Sequence, residues 1–216
     1  MTDASPNPLP SGQDLATLVA GKLCHDFISP AGAISSGLDL MRDPSADMRE
    51  DALGLIESSA RKLVALVHFA RVAFGAATTS ERFTGDTLKG LVEGLVQGGR
   101  AALDWRVEQA DFGKPAARAL VNLAYLTHAA LPTGGTAVIT GRVEDGVLVL
   151  EGSAEGARAR LKQEATAGLA GQPLTEGLQG QWIQPYWLWL TVTEAGGRLD
   201  VSVEEGRVRL TARMPA

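Results

Sequence analysis

Two stretches of helix-periodic sequence joined by a proline break constrain this chain more than anything else in it. The first runs from Leu15 to about Met41 and the second from about Ala46 to Phe74. Between them Asp43-Pro44-Ser45 ends the first helix, because proline disfavours helical geometry in the residue before it. Ser11-Gly12-Gln13-Asp14 has the S-x-x-[DE] form of a capping box, in which hydroxyl and carboxylate each satisfy an orphan N–H of the first turn. In the second stretch Leu53, Ile56, Leu63, Val67 and Ala70 recur at helical spacing. A helical hairpin of this kind cannot bury both apolar faces alone. Pairing of two copies into a four-helix bundle is the simplest closure, so a homodimer is expected.

Past the tract Gly75-Ala76-Ala77-Thr78-Thr79-Ser80 the texture changes. The chain has 25 glycines in 216 residues, most of them beyond residue 84. The pattern predicts helices over Thr84–Arg100, Pro115–Ala130, Arg158–Thr166 and Trp182–Ala195, the last stopped by Gly196-Gly197. Leu103–Val107 alternates as a strand, and two hairpins turn at Glu144-Asp145-Gly146 and Glu204-Glu205-Gly206. The fold class expected is α+β: a disordered Pro-rich lead (1–10), a helical hairpin (11–77) and a layered α/β domain (81–216).

The formal net charge is −5, so no global basic field is available to hold a nucleic-acid backbone. No apolar run approaches the roughly 18 residues of a membrane span, and Met1 to Pro10 lacks a basic signal-peptide n-region. The single cysteine, Cys24, rules out an internal disulfide and reads as a small buried residue. No nucleic acid and no membrane are expected as partners, and the chain reads as cytoplasmic.

The most informative segment is Lys22-Leu23-Cys24-His25-Asp26-Phe27-Ile28-Ser29-Pro30. At about 100° per residue, Leu23, Phe27, Ile34, Leu38 and Met41 share an arc roughly 60° wide, the expected core stripe. His25 falls on the opposite side, among Gly21, Lys22, Ser29, Gly32 and Ser36. Ordinary solvent faces of helices favour Glu, Lys and Gln, whereas this surround leaves an imidazole sterically open to a large partner. Imidazole, with an ordinary pKa of about 6.5, carries a free lone pair on most molecules at neutral pH, and is suited to attack on phosphorus. His68 and His128 read as structural, and the Trp182, Tyr186, Trp187 and Trp189 cluster as helix-to-sheet core or a protein-contact face.

His25-Asp26-x-x-x-Pro30 resembles the H-[ED]-x-x-x-P phospho-acceptor box of histidine-kinase dimerisation helices. Followed by a second helix and an α+β domain, it matches the layout of a kinase core. The segment Arg118 to Gly135, with Asn122, is similar to the kinase helix that carries the N-box. The second metal-ligating asparagine of that box is replaced by Leu126, which cannot coordinate a hard cation. Leu150 to Gly156 stands where a D-x-G-x-G motif would lie and lacks its aspartate; the glycine-rich lid and any Walker-type loop are missing as well. A kinase-shaped chain with its nucleotide site erased resembles the bacterial histidine phosphotransferases of the ChpT type. The segments Ile183-Gln184-Pro185-Tyr186 and Ala195-Gly196-Gly197-Arg198-Leu199 extend that likeness along nearly the whole chain after residue 11.

The resemblance implies that His25 accepts a phosphoryl group from the receiver domain of a hybrid histidine kinase and passes it to response-regulator aspartates in cell-cycle signalling. No cofactor is expected on this chain, and Mg²⁺ would be held by the receiver. Asp26 is either an orienting group for the imidazole or a solvated helix charge. Lys22 either offsets negative charge during transfer or serves solubility. Leu18 and Ile28 are either receiver anchors or bundle core, and Ser29, Gly32 and Ser36 matter as absent bulk on a partner-binding face. A residual histidine kinase and a dimeric, non-catalytic adaptor remain the alternatives.

Overall fold

The computed structural model describes residues 9–42, 46–75 and 81–216; most of the expected lead, the Asp43-Pro44-Ser45 break and most of the expected linker lie outside these residues. Ser11 caps helix α1 (Gly12–Leu40): its hydroxyl accepts the Asp14 N–H at 3.2 Å, and its own N–H donates to Asp14 Oδ2 at 3.0 Å. Helix α2 (Ala46–Ala73) packs back along α1. The remainder runs β1 (Arg82–Thr84), α3 (Gly85–Val96), β2 (Ala101–Val107), β3 (Asp111–Gly113), α4 (Lys114–Ala129), β4 (Gly135–Glu144), β5 (Val147–Glu155), α5 (Gln163–Leu169), α6 (Gln179–Glu194), β6 (Arg198–Glu204) and β7 (Arg207–Pro215). The chain is therefore α+β, a helical hairpin followed by an α/β sandwich.

Five strands form one sheet in the order β2-β4-β5-β7-β6, antiparallel except for the β2–β4 pair. That parallel pair is linked by a crossover through α4, β4–β5 and β6–β7 are hairpins, and β5 pairs with β7 across the intervening α5, α6 and β6. The turn from β4 to β5 places Asp145 at φ 48° and Gly146 at φ 79°, the left-handed pair that an Asp-Gly hairpin turn requires. One face of the sheet is apolar: Ala137 and Ile139 of β4, Leu148, Leu150 and Ala154 of β5, and Val208, Leu210, Ala212 and Met214 of β7 are all buried. They pack on α4, whose Ala117, Leu120, Val121, Leu123 and Ala124 are sealed from solvent, and on α3 and α6. The short β1–β3 ribbon was not anticipated, since three-residue strands carry too little alternation to read.

The hairpin and the sandwich are joined along a continuous seam. Trp182, Ile183 and Tyr186 of α6 bury themselves against Leu15, Leu18 and Val19 of α1, and the Trp182 and Tyr186 rings stack at 4.4 Å between centroids. Burial in this cluster pushes the Tyr186 phenol above its ordinary range. The aromatic cluster is thus helix-to-helix core rather than helix-to-sheet core. At the end of α2 the Ala73 carbonyl accepts Asn122 Nδ2–H at 3.1 Å and Trp187 Nε1–H at 2.8 Å, and Lys62 Nζ donates to the Leu95 carbonyl at 3.0 Å.

The buried stripe of α1 is rotated from the one expected. Pro30 and Gly37 are buried, with Val19, Leu23, Phe27 and Ile34 half-buried beside them, whereas Leu38 and Met41 are exposed. The helices meet closely where Gly37 faces Ala52 and Ile56, because no side chain separates the backbones there. This leaves a second stripe, Cys24, Ile28, Ala31, Ser35 and Leu38, open to solvent along α1. Cys24 is accordingly exposed, not buried.

Candidate functional site

Midway along α1, 87 % of the His25 side-chain surface is exposed. Its Nδ1 stands 3.4 Å from Asp26 Oδ1, within reach of an Nδ1–H donor, and the other carboxylate oxygen, Oδ2, is 2.7 Å from Lys22 Nζ. With Nδ1 turned to the carboxylate, the Nδ1–H tautomer would leave the Nε2 lone pair free. Asp26 thus has the Lys22 ammonium at one oxygen and the imidazole beside the other, and Lys22 is an ion-paired, largely covered side chain.

Pro30 supplies a second local feature. Having no N–H, it cannot donate to the carbonyl four residues earlier, so the α1 ladder lacks its rung at Asp26. The Pro30 ring is buried against the hairpin core, and the helix continues without interruption to Leu40.

A groove of about 740 Å³ separates this part of α1 from the sandwich domain. Its α1 wall carries Leu18, Gly21, Lys22, His25 and Asp26; the far wall includes Tyr125, Leu126, Arg160, Lys162, Leu178 and Gln184. A second hollow of about 470 Å³ adjoins it, sharing His25, Asp26, Tyr125 and Gln184, and reaches past Ser29 and Pro30 to the Lys62 and Phe69 side chains. His25 thus stands where the two hollows meet.

The residues expected on the histidine face are distributed as follows. Gly21, Ser29, Gly32 and Ser36 are exposed, and a Cβ on Gly21 or Gly32 would meet open space. Ile28 is exposed, 69 % of it, beside the histidine. Leu18 is half-buried against the α6 cluster, so it belongs mainly to the seam rather than to a free anchoring surface. Arg160, Lys162, Tyr125 and Gln184 were not anticipated at the site. They come from the poorly patterned 152–180 region and from buried helix faces, and only the tertiary packing of α4 and α6 brings them beside α1. His128 Nε2–H donates to the Ala101 carbonyl, 3.1 Å away, a structural contact, while His68 is exposed on α2.

Asn122 is fully buried: its Nδ2 donates to the carbonyls of Ala73 and Arg118, and its Oδ1 accepts from Gln184 Nε2 at 3.1 Å. Leu126 is buried one turn further on. On β5, a Cβ at Gly152 would fall inside van der Waals contact with Thr127 Oγ1, so α4 sits directly on the strand there. Among the described residues no three His, Cys, Asp or Glu side chains stand close enough to hold a metal ion, and no helix is long and apolar enough to cross a membrane.

The family description "histidine phosphotransferase C-terminal domain" matches residues 85–207. The protein phosphotransferase ChpT of Brucella abortus (strain 2308) is 32 % identical over 195 residues, which span 88 % of this chain and 91 % of the relative. The chain belongs to the histidine phosphotransferase family. A bacterial phosphotransferase solved at 1.7 Å shares the fold with a TM-score of 0.84 at 28 % identity, over 96 % of this chain and all of that one. The full-length ShkA structure in complex with AMPPNP is more distant, with a TM-score of 0.50 at 18 % identity over 95 % of this chain and 46 % of that one, and shows a likeness of fold alone. As a histidine phosphotransferase the chain has a protein phosphotransfer role in two-component signalling, and the α1 hairpin and sandwich together form its scaffold.

Proposed function

We propose that this histidine phosphotransferase relays a phosphoryl group through His25, from the receiver domain of a hybrid histidine kinase to the aspartates of response regulators in cytoplasmic, cell-cycle signalling. The observation that carries this reading is the exposed imidazole whose Nδ1 stands 3.4 Å from Asp26 Oδ1. In the forward step the Nε2 lone pair attacks the phosphorus of the receiver's aspartyl phosphate. The P–O bond breaks and its electrons leave with the receiver carboxylate. The phosphorylated ring is cationic with Nδ1–H retained, and Asp26 Oδ1 stabilises that charge by accepting the Nδ1–H bond. In the second step a carboxylate oxygen of another receiver attacks phosphorus, and the N–P electrons return to Nε2. Mg²⁺ travels with the receiver, so this chain contributes the nucleophile, its orientation and a docking surface.

The reading excludes ATP as a donor. Support comes from the pinned Asn122, the buried Leu126 and the close α4–β5 contact at Gly152. The working form is a homodimer. Ile28 and Leu38 on α1, with Leu53, Val64 and Val67 on α2, are large, apolar and exposed, and the α1 pair belongs to the open stripe Cys24, Ile28, Ala31, Ser35 and Leu38, which steps every three to four residues as a four-helix bundle requires.

The deciding experiment combines a hybrid kinase with its receiver, labelled ATP, and the wild-type chain or His25→Gln. Label on the wild type only, and none without the kinase, is expected. Label from ATP with this chain alone would establish a residual kinase instead, and no label on either form across several receivers would leave a dimeric adaptor.

A further inference from the structure

Asp26 divides its two oxygens between two neighbours: Oδ2 takes Lys22 Nζ at 2.7 Å and Oδ1 faces His25 Nδ1 at 3.4 Å. We propose that Lys22 is a positioning residue for phosphoryl transfer, clamping the Asp26 carboxylate so that its other oxygen holds the His25 imidazole with Nε2 presented to the incoming group. This rests on His25 being the phospho-acceptor.

Three observations separate this clamp from an ordinary helix ion pair. The order is lysine before aspartate at i,i+4, the weaker arrangement for supporting a helix. The Lys22 side chain is only 10 % exposed, so a flexible stem has been ordered at an entropic cost that an ion pair on a solvated face does not repay. Its stem lies in the groove lined by Leu18, Leu126, Leu161 and Pro185, where the lower local dielectric strengthens the 2.7 Å contact. Among the described residues lining that groove Asp26 is the sole acid, against Lys22, Arg160 and Lys162. Without Lys22 the carboxylate is free to rotate towards those cations and away from the ring.

The chemistry follows from the tautomer. Each ring nitrogen takes its protonation from the hydrogen bond the other makes. A carboxylate fixed at Nδ1 selects the Nδ1–H form, which is the form carrying a lone pair on Nε2. A carboxylate that wanders leaves the ring to distribute between both forms and both orientations. Lys22 therefore acts through Asp26 and touches neither phosphorus nor the ring.

The test uses the full chain with Lys22→Met, Lys22→Arg, Asp26→Asn and the Lys22→Met/Asp26→Asn double variant, with circular dichroism to verify helix content. Nitrogen-15 NMR of the imidazole reports the tautomer, and transfer from a phosphorylated receiver reports kcat and KM. Lys22→Met is expected to move His25 towards the Nε2–H form and to lower kcat about tenfold, with KM little changed. Lys22→Arg restores both, and in the Asp26→Asn background Lys22→Met has no further effect. An unchanged tautomer overturns the proposal, as does a raised KM with unchanged kcat, which would make Lys22 a docking residue. If even the wild type accepts no label, the phospho-acceptor reading itself falls, and the NMR arm shows that separately from any failure of the clamp.

Discussion

Gln184 Nε2 donates to Asn122 Oδ1 at 3.1 Å, across 62 residues of sequence and in a site closed to solvent. The same asparagine amide bonds Ala73 and Arg118 carbonyls, so three helices, α2, α4 and α6, meet on one side chain. Asn122→Ala strips the Gln184 amide of its acceptor and is expected to cost about 1–3 kcal/mol. A fall in the thermal midpoint, smaller than additive when combined with Gln184→Ala, is the readout.

The close approach of α4 to β5 makes a sharper claim. Gly152→Ala drives a methyl into Thr127 Oγ1 and Leu123 Cδ2 and is expected to destabilise the sandwich by about 1–3 kcal/mol. Thr127→Ala in the same chain should return part of that loss, as seen in denaturant midpoints.

On the histidine face the small residues have separable effects. Gly32→Ala places its methyl in open space and should stabilise α1 by about 0.5–1 kcal/mol with transfer retained. Gly32→Phe leaves the fold intact but intrudes on a docking partner. Its KM for a phosphorylated receiver should rise about tenfold, equivalent to about 1.4 kcal/mol of binding, and an unchanged KM would show that partners do not approach over Gly32.

Charging the open apolar stripe should separate the copies. Leu38→Glu combined with Val64→Glu is expected to bring the mass in light scattering from a dimer to the 22.6 kDa of one chain, with helix content in the sandwich unaffected. A wild type already monomeric at micromolar concentration would contradict the dimer.

Acid should loosen the start of α1 first. The Ser11 hydroxyl and backbone N–H hold the Asp14 carboxyl below its ordinary 3.8. A carboxyl depressed in the folded state contributes stability above its unfolded value, and that contribution is lost as pH falls through the lower, folded one. Amide protection of the first turn should therefore decline below about pH 4, and Ser11→Ala should remove the pH dependence along with the cap.

Much of this was legible in one dimension because the signals were local. The capping box, the Asp-Gly turn, the two helices and the His25-Asp26-x-x-x-Pro30 segment each lie within a few residues. The direction of burial on α1 was not local: a wheel places Leu38 with Leu23, but the near-backbone contact at Gly37 rotates the helix and turns Leu38 outward. Nor could composition place Trp182 and Tyr186 on α1 rather than on the sheet, since an aromatic helix face suits either. Lys22 and Asp26 were visible as neighbours of the histidine, but their mutual contact depends on the wall that the sandwich domain raises beside them.

The seam between α6 and α1 also bears on the thermodynamics of encounter. Because Trp182, Ile183 and Tyr186 fasten the sandwich to the helix that carries His25, the two walls of the groove are set in register before any partner arrives. The entropy of aligning two halves of a binding surface is then lost once, during folding, and is not charged again at each collision. A visitor has only its own freedom to give up, which favours brief, repeatable contacts over long-lived ones for a carrier that must release what it accepts.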